Sequence, residues 1–315
     1  MIGSFLVREL LGRGSRVVVL IKDMESQSGL IKGGDIKKVT VVNGSLEDYW
    51  TLEQAINKHQ VQTVFHLGAQ TIVGAAHRSP LPTFEANIRG TYNLLEACRV
   101  HMDLCSRIVV ASSDKAYGEQ PVLPYTEEMS LVGRHPYEVS KSCADILSQS
   151  YYHTYDLPVA IARCGNVYGG NDLNFSRIVP GTIRSLLRGE PPVVRSDGTY
   201  VRDYVYVRDV VGAYLRLAER MDDDNVRGKA FNFSSENPAT VLEVVSAIRK
   251  LMNLEHLEPI VLGTARGEIK NQVLDSGKAR KVLGWCPDYS LEEGLRETIS
   301  WYEDFFDGKP QSADS

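Results

Sequence analysis

Short apolar runs alternate with longer stretches whose apolar residues recur at i, i+3 and i+4, and no other feature of this chain constrains its fold as much. The runs at 16–21, 39–42, 61–67, 107–111 and 158–163 read as strands, and the stretches at 2–11, 50–56, 84–100 and 137–155 as helices. Strands without polar alternation must be buried on both faces, and helices between them serve as crossovers. The pattern therefore predicts an α/β fold built on a doubly wound parallel sheet.

Past Gly165 proline and glycine become frequent and the strands shorten. We expect a first domain over 1–165, a smaller α/β domain over 166–307 with segments returning to the first, and a flexible tail over 308–315. In open parallel sheets the ligand crevice lies beyond the carboxyl ends of the strands, so the seam between the two parts is the expected site. The acidic stretch Met221-Asp222-Asp223-Asp224 reads as a solvated loop.

Composition excludes several classes. With 43% apolar residues over 315 positions the chain can bury a large core. A net charge of -5 without a clustered basic face argues against a nucleic-acid partner. Five scattered cysteines, with no CxxC pair or His/Cys cluster, suit reduced thiols in the cytoplasm and no metal site. No apolar run has the length of a membrane span.

Two stretches carry chemistry. The apolar run 107–111 is followed by Ser112-Ser113-Asp114-Lys115-Ala116-Tyr117-Gly118, a row of hydroxyl, carboxylate and amine that no core strand requires. Neighbouring residues of a regular strand point to opposite faces, so Asp114 and Lys115 can act together only where the backbone bends. Gly118 is consistent with such a bend. Downstream, Tyr137 and Lys141 stand at i and i+4 of a helix entered through His135-Pro136, so both leave one face. A tyrosine works as a base near neutral pH only if a cation lowers its pKa, and Lys141 is placed to do that.

At this point the chain resembles the extended short-chain dehydrogenase/reductase family, the NAD-dependent nucleotide-sugar epimerases and dehydratases, over nearly its whole length. The matching segments, in order, are FHLGAQ (65–70), NIRGTYNLLEAC (87–98), YEVSK (137–141), RCGNVYGG (163–170), RDYVYVRDV (202–210), RGE (266–268) and LGW (283–285). The resemblance implies a Rossmann-like first domain, NAD rather than NADP, a nucleotide-sugar substrate, and a homodimer formed through a four-helix bundle of the helices at 84–100 and 137–155. It assigns Tyr137, Lys141 and Ser113 to oxidation of a sugar hydroxyl. The cofactor would be met by Gly3, Ser45, Leu46, Leu67, Gly68, Ala69, Gln70, Asn87, Ser112, Tyr137, Lys141 and Cys164, and the substrate by Asn166, Arg195, Arg202 and Arg266. His66 reads as structural.

The chain also departs from the family. Ile2-Gly3-Ser4 matches only the last part of the family's Gly-x-x-Gly-x-x-Gly loop, so the first strand and most of that loop are absent. Two explanations fit: a chain that begins inside a longer protein, and a short form that has lost tight cofactor binding. Ile21-Lys22-Asp23 lacks the usual acid for the ribose diol, and Ser45 replaces a frequent Asp.

The Asp114-Lys115 pair resembles the CDP-glucose 4,6-dehydratases, as does Arg195, whereas 4-epimerases usually carry small residues there. The expected function is an NAD-dependent nucleotide-sugar 4,6-dehydratase in which Asp114 protonates the leaving hydroxyl and Lys115 removes the C5 proton or tunes Asp114. The alternatives are a nucleotide-sugar 4-epimerase and, in another class, a cofactor-free sugar-nucleotide-binding protein.

Overall fold

A computed structural model describes residues 1–265 and 267–308. Its strands, in chain order, are β1 (Val18–Ile21), β2 (Thr40–Asn43), β3 (Thr63–His66), β4 (Arg107–Ala111), β5 (Val159–Cys164), β6 (Asn166–Tyr168) and β7 (Val193–Val194). They continue with β8 (Val201–Arg202), β9 (Tyr204–Tyr206), β10 (Ala230–Phe233), β11 (Ala239–Thr240), β12 (Ile260–Val261) and β13 (Asn271–Gln272).

The central sheet is parallel, in the order β10-β5-β4-β3, so a strand from the second half of the chain pairs beside β5. It is covered on both faces, as continuous apolar strands require. Along β4, Val109 joins a core with Ala160, Val210, Phe231 and Trp285, while Ile108 and Val110 join another with Leu95, Cys98 and Leu157.

The helices begin where side chains can satisfy their first N–H groups. Asp48 accepts from Trp50 and Thr51 at the helix Tyr49–His59, and Thr240–Glu243 and Ser290–Glu293 form capping boxes. The expected helix at 84–100 is interrupted: a widened π turn, Glu85–Arg89, precedes the regular helix Gly90–Val100. Met221 is buried in the core, so only the residues after it form the expected solvated turn. Among the described residues no helix is long and apolar enough to cross a membrane.

The parallel strands do not form one sheet. Among the described residues β1 pairs only with β2, and β3 only with β4. Both strands line one cleft of about 1650 Å³, into which the first helix, Ile2–Gly12, also faces. Among the described residues, the gap between the two sheets lies between β1 and β3.

Candidate active site

The site is built at the carboxyl end of β4. The last ladder bond there runs from the Ser112 N–H to the Ala162 carbonyl. The chain then turns into a 3-10 helix, Asp114–Tyr117, closed by Gly118 at φ 64. A Cβ on Gly118 would lie 2.6 Å from the Val132 carbonyl oxygen, so both the backbone conformation and the close approach require glycine. This is the bend that lets Asp114 and Lys115 share a site.

Ser113 donates to the Asp114 carboxylate at 2.9 Å, and its oxygen accepts from the Lys115 backbone N–H. The Lys115 ammonium lies 3.5 Å from the Asp114 carboxylate and only 2.6 Å from the Gln272 side-chain carbonyl. Burial pushes the Lys115 amine below its usual range, opposed by Asp114.

Tyr137 occupies the first turn of the helix Pro136–Tyr155. Pro136 sets its start, and the buried Glu138 accepts from the Arg134 and His135 N–H groups ahead of it. The Tyr137 phenol reaches the Ser113 hydroxyl. Its pKa is pushed up to about 12, first by burial and next by Asp114, against Arg177 and the Ser113 hydrogen bond. The expectation that Lys141 lowers it is therefore not met. Lys141 is itself desolvated, down to about 8, and its ammonium donates to the Ala111 carbonyl at 2.7 Å. The cation that acts on the phenol is Arg177, held by Asp172 at 2.9 Å and by Thr71.

The other expected residues fall in two regions. Gly3, Leu46, Leu67, Gly68, Ala69 and Gln70 line the cleft. Gly3 sits in the first turn of the first helix, with open space where a Cβ would be. Gly68 and Gly90 give room to Leu46: a Cβ at either would come within 2.8 Å or 2.6 Å of it. Ser45 is half-buried beside Glu47. Asn87, in the π turn, accepts from the Gln70 N–H, donates to the Gln70 carbonyl and donates to Ser140, which fixes the Gln70 backbone.

Closer to Tyr137, the Ser112 hydroxyl is buried without a partner among the described residues, and the Cys164 thiol donates to Tyr214 at 3.8 Å. Burial raises the Cys164 thiol to about 12, so it carries no thiolate near neutrality. Arg202 is buried against the carbonyls of Val201, Ile269 and Lys270, near enough to depress Lys115. Asn166 is half-buried at the start of β6. Arg195 is exposed and donates to the Ser176 carbonyl, and Arg266 lies outside the described residues.

Sequence reasoning missed Arg177 and Gln272. Arg177 stands in an unremarkable Arg-Ile-Val-Pro run, and Gln272 in a segment without a motif; only the folded chain brings them to Tyr137 and Lys115.

His66 is buried at the end of β3 with Nε2 2.8 Å from the Thr91 hydroxyl, a structural setting. Burial, and then Lys141, depress its pKa to about 3. Between about 3 and 6.5 the unfolded chain binds a proton that folded His66 refuses, so this contribution to stability is complete above 6.5 and shrinks as pH falls. Acidification to pH 5 should remove about 2 kcal/mol through this group. Melting curves of His66→Gln should show a correspondingly weaker pH dependence; an unchanged slope would mean that His66 protonates freely in the fold.

The sequence model of the GDP-mannose 4,6 dehydratase family matches residues 1–298. The chain belongs to that family. A dTDP-glucose 4,6-dehydratase of Neisseria gonorrhoeae is 30% identical, over 96% of this chain and 93% of its own length. Among solved structures, the UDP-glucose 4-epimerase of Thermotoga maritima with UDP-glucose superposes with a TM-score of 0.87 at 28% identity, covering 97% of this chain and 96% of that one. The dTDP-glucose 4,6-dehydratase of Bacillus anthracis in complex with NAD gives 0.85 at 26% identity, covering 96% and 94%. A nucleotide-sugar dehydratase and a nucleotide-sugar epimerase thus share this fold.

Proposed function

We propose that the chain is a nucleotide-sugar 4,6-dehydratase, converting an NDP-hexose to an NDP-4-keto-6-deoxyhexose. The observation that carries the reading is the joint placement of two chemical sets: Tyr137 from its helix with Ser113, and Asp114 with Lys115 3.5 Å apart in the turn that follows Ser113. An epimerase needs the first set and has no use for the second.

NAD is the cofactor in this reading, with NADP the alternative. The buried, unpartnered Ser112 hydroxyl and the carbonyl-anchored Lys141 suit its nicotinamide ribose, and the pinned Gln70 backbone suits its path along the cleft. When bound, NAD would supply the redox chemistry for oxidation at C4 and reduction at C6 of the sugar.

The side chains handle the protons. Ser113 holds the C4 hydroxyl, and Tyr137 takes its proton as the phenolate. The burial that keeps the phenol protonated in the resting site is opposed by Arg177. Once C4 is a ketone the C5 proton is acidic; Lys115 as its neutral amine removes it, and Asp114 in its protonated form gives its proton to the hydroxyl leaving C6 as water, which leaves an ammonium beside a carboxylate. Asn166, Arg202 and Arg266 would meet the diphosphate, and Arg195 the nucleoside.

The division into a cofactor domain (1–165) and a substrate domain (166–307) belongs to the same reading, as does a homodimer. The helices Gly90–Val100 and Pro136–Tyr155 pack together and leave Tyr92 and Ile146 exposed, as a bundle with a second copy would need. A monomeric mass by light scattering would eliminate that assembly.

The test is mass spectrometry of CDP-, GDP-, UDP- and dTDP-hexoses incubated with the chain and NAD. One substrate should lose a single water. Unchanged masses with a C4 epimer in the product would instead select the epimerase.

A further inference from the structure

We propose that Gln272 is a positioning residue for the Asp114–Lys115 pair: its carboxamide holds the Lys115 head group off the Asp114 carboxylate, so that the two meet substrate as a separate base and acid rather than as a closed ion pair. The inference rests on the dehydratase reading, and it concerns a residue that no motif identifies.

Gln272 is 1% exposed on the short strand β13, far from the pair in sequence. Its side-chain carbonyl accepts from the Lys115 ammonium at 2.6 Å, whereas that ammonium is 3.5 Å from the nearer Asp114 oxygen. Its amide nitrogen lies 3.5 Å from the Asp114 backbone carbonyl. A carboxamide is one of the few groups that can meet a cation with one end and a carbonyl with the other, and this orientation satisfies both. Between a strong hydrogen bond to a neutral acceptor and a long contact to a charged one, the short bond sets the position of the amine.

The strand pairing adds a second element. β13 runs parallel to β8 with Gln272 opposite Arg202. The buried Arg202 guanidinium is anchored on the Ile269 and Lys270 carbonyls, immediately before β13. One short segment therefore holds both Arg202 and the Lys115 amine. The charged groups acting on Lys115 are Asp114 on its own turn, Glu138 on the Tyr137 helix and Arg202 on β8, and Asp114 in turn acts on Tyr137, Tyr125 and Asp203.

The test uses Gln272→Glu and Gln272→Met with two readouts. The first is the titration of Lys115, followed by NMR of labelled lysine ε-carbons and assigned by the signal lost in Lys115→Met. The second is the pH profile of water loss, measured separately from oxidation at C4. A carboxylate at this contact should raise the Lys115 pKa by about 1 to 3 units. The rising limb of the dehydration profile should move to higher pH by the same amount, with C4 oxidation unchanged. Gln272→Met, which keeps the volume without the hydrogen bonds, should lower kcat for water loss by about tenfold or more at unchanged KM.

Unmoved Lys115 titration in a folded Gln272→Glu protein overturns the contact. A moved titration with an unmoved dehydration profile overturns its catalytic role. A wild-type chain that dehydrates nothing, while the lysine signal still shifts, sinks the dehydratase reading and leaves the contact standing.

Discussion

In Asp114→Asn, loss of water from the nucleotide sugar should fall by about 10²- to 10⁴-fold, the usual contribution of a positioned acid, while oxidation at C4 continues. The asymmetry follows from the site. Ser113 reaches Tyr137 as well as Asp114, and an asparagine carbonyl still accepts the 2.9 Å bond from Ser113, so the oxidising pair keeps its geometry. The asparagine cannot supply a proton to a departing hydroxyl. Single-turnover reactions, followed by nicotinamide absorbance for oxidation and by product mass for dehydration, separate the two steps. Equal loss of both would make Asp114 a scaffold for Ser113, and loss of neither would return the chain to the epimerase reading.

Replacing Arg163 by Met should reduce stability by about 3 to 5 kcal/mol, the range for breaking one side of a buried ion pair. Arg163 on β5 meets Asp145 on the Tyr137 helix through two bonds, at 2.8 and 2.9 Å, with side-chain exposures of 3% and 0%. A third donor goes to the Tyr117 hydroxyl at 2.8 Å. With the guanidinium gone, Asp145 keeps only the Gln149 amide as a partner among the described residues. Because Asp145 also acts on Lys141, the variant should lose activity before it melts. Arg163→Met combined with Asp145→Leu should recover much of the stability, since apolar replacement of a whole buried pair is often tolerated. Melts of the single and double variants check this; a single variant within 1 kcal/mol of the parent would mean that water reaches the pair.

How much of this was legible beforehand depended on whether the signal was local. β4 spans 107–111 as read, because an unbroken apolar run flanked by polar residues has one reasonable placement. The common face of Tyr137 and Lys141 follows from helix geometry alone, and the bend at Asp114 from the need to use two adjacent side chains. The proton balance was not local. A cation one turn from a phenol would lower its pKa in water, but here burial acts on both groups and Lys141 is engaged by the Ala111 carbonyl. Arg177 and Gln272 come from elements whose approach to the turn after β4 is decided by the packing of the second half of the chain. The π turn at Glu85–Arg89 lies in a stretch with good helical periodicity, and its reason, the reach of Asn87 to Gln70, is tertiary.

The split between β1 and β3 bears on how this molecule behaves among copies of itself. Among the described residues neither strand has a ladder partner on that side, and apolar side chains from Val18 to Ile21 and from Val64 to Phe65 flank the opening. Natural sheets blunt such rims with charge, proline or a covering helix; the helix Ile2–Gly12 borders this one without closing it. An extended apolar segment that reached the opening could pair with the backbone groups of either strand.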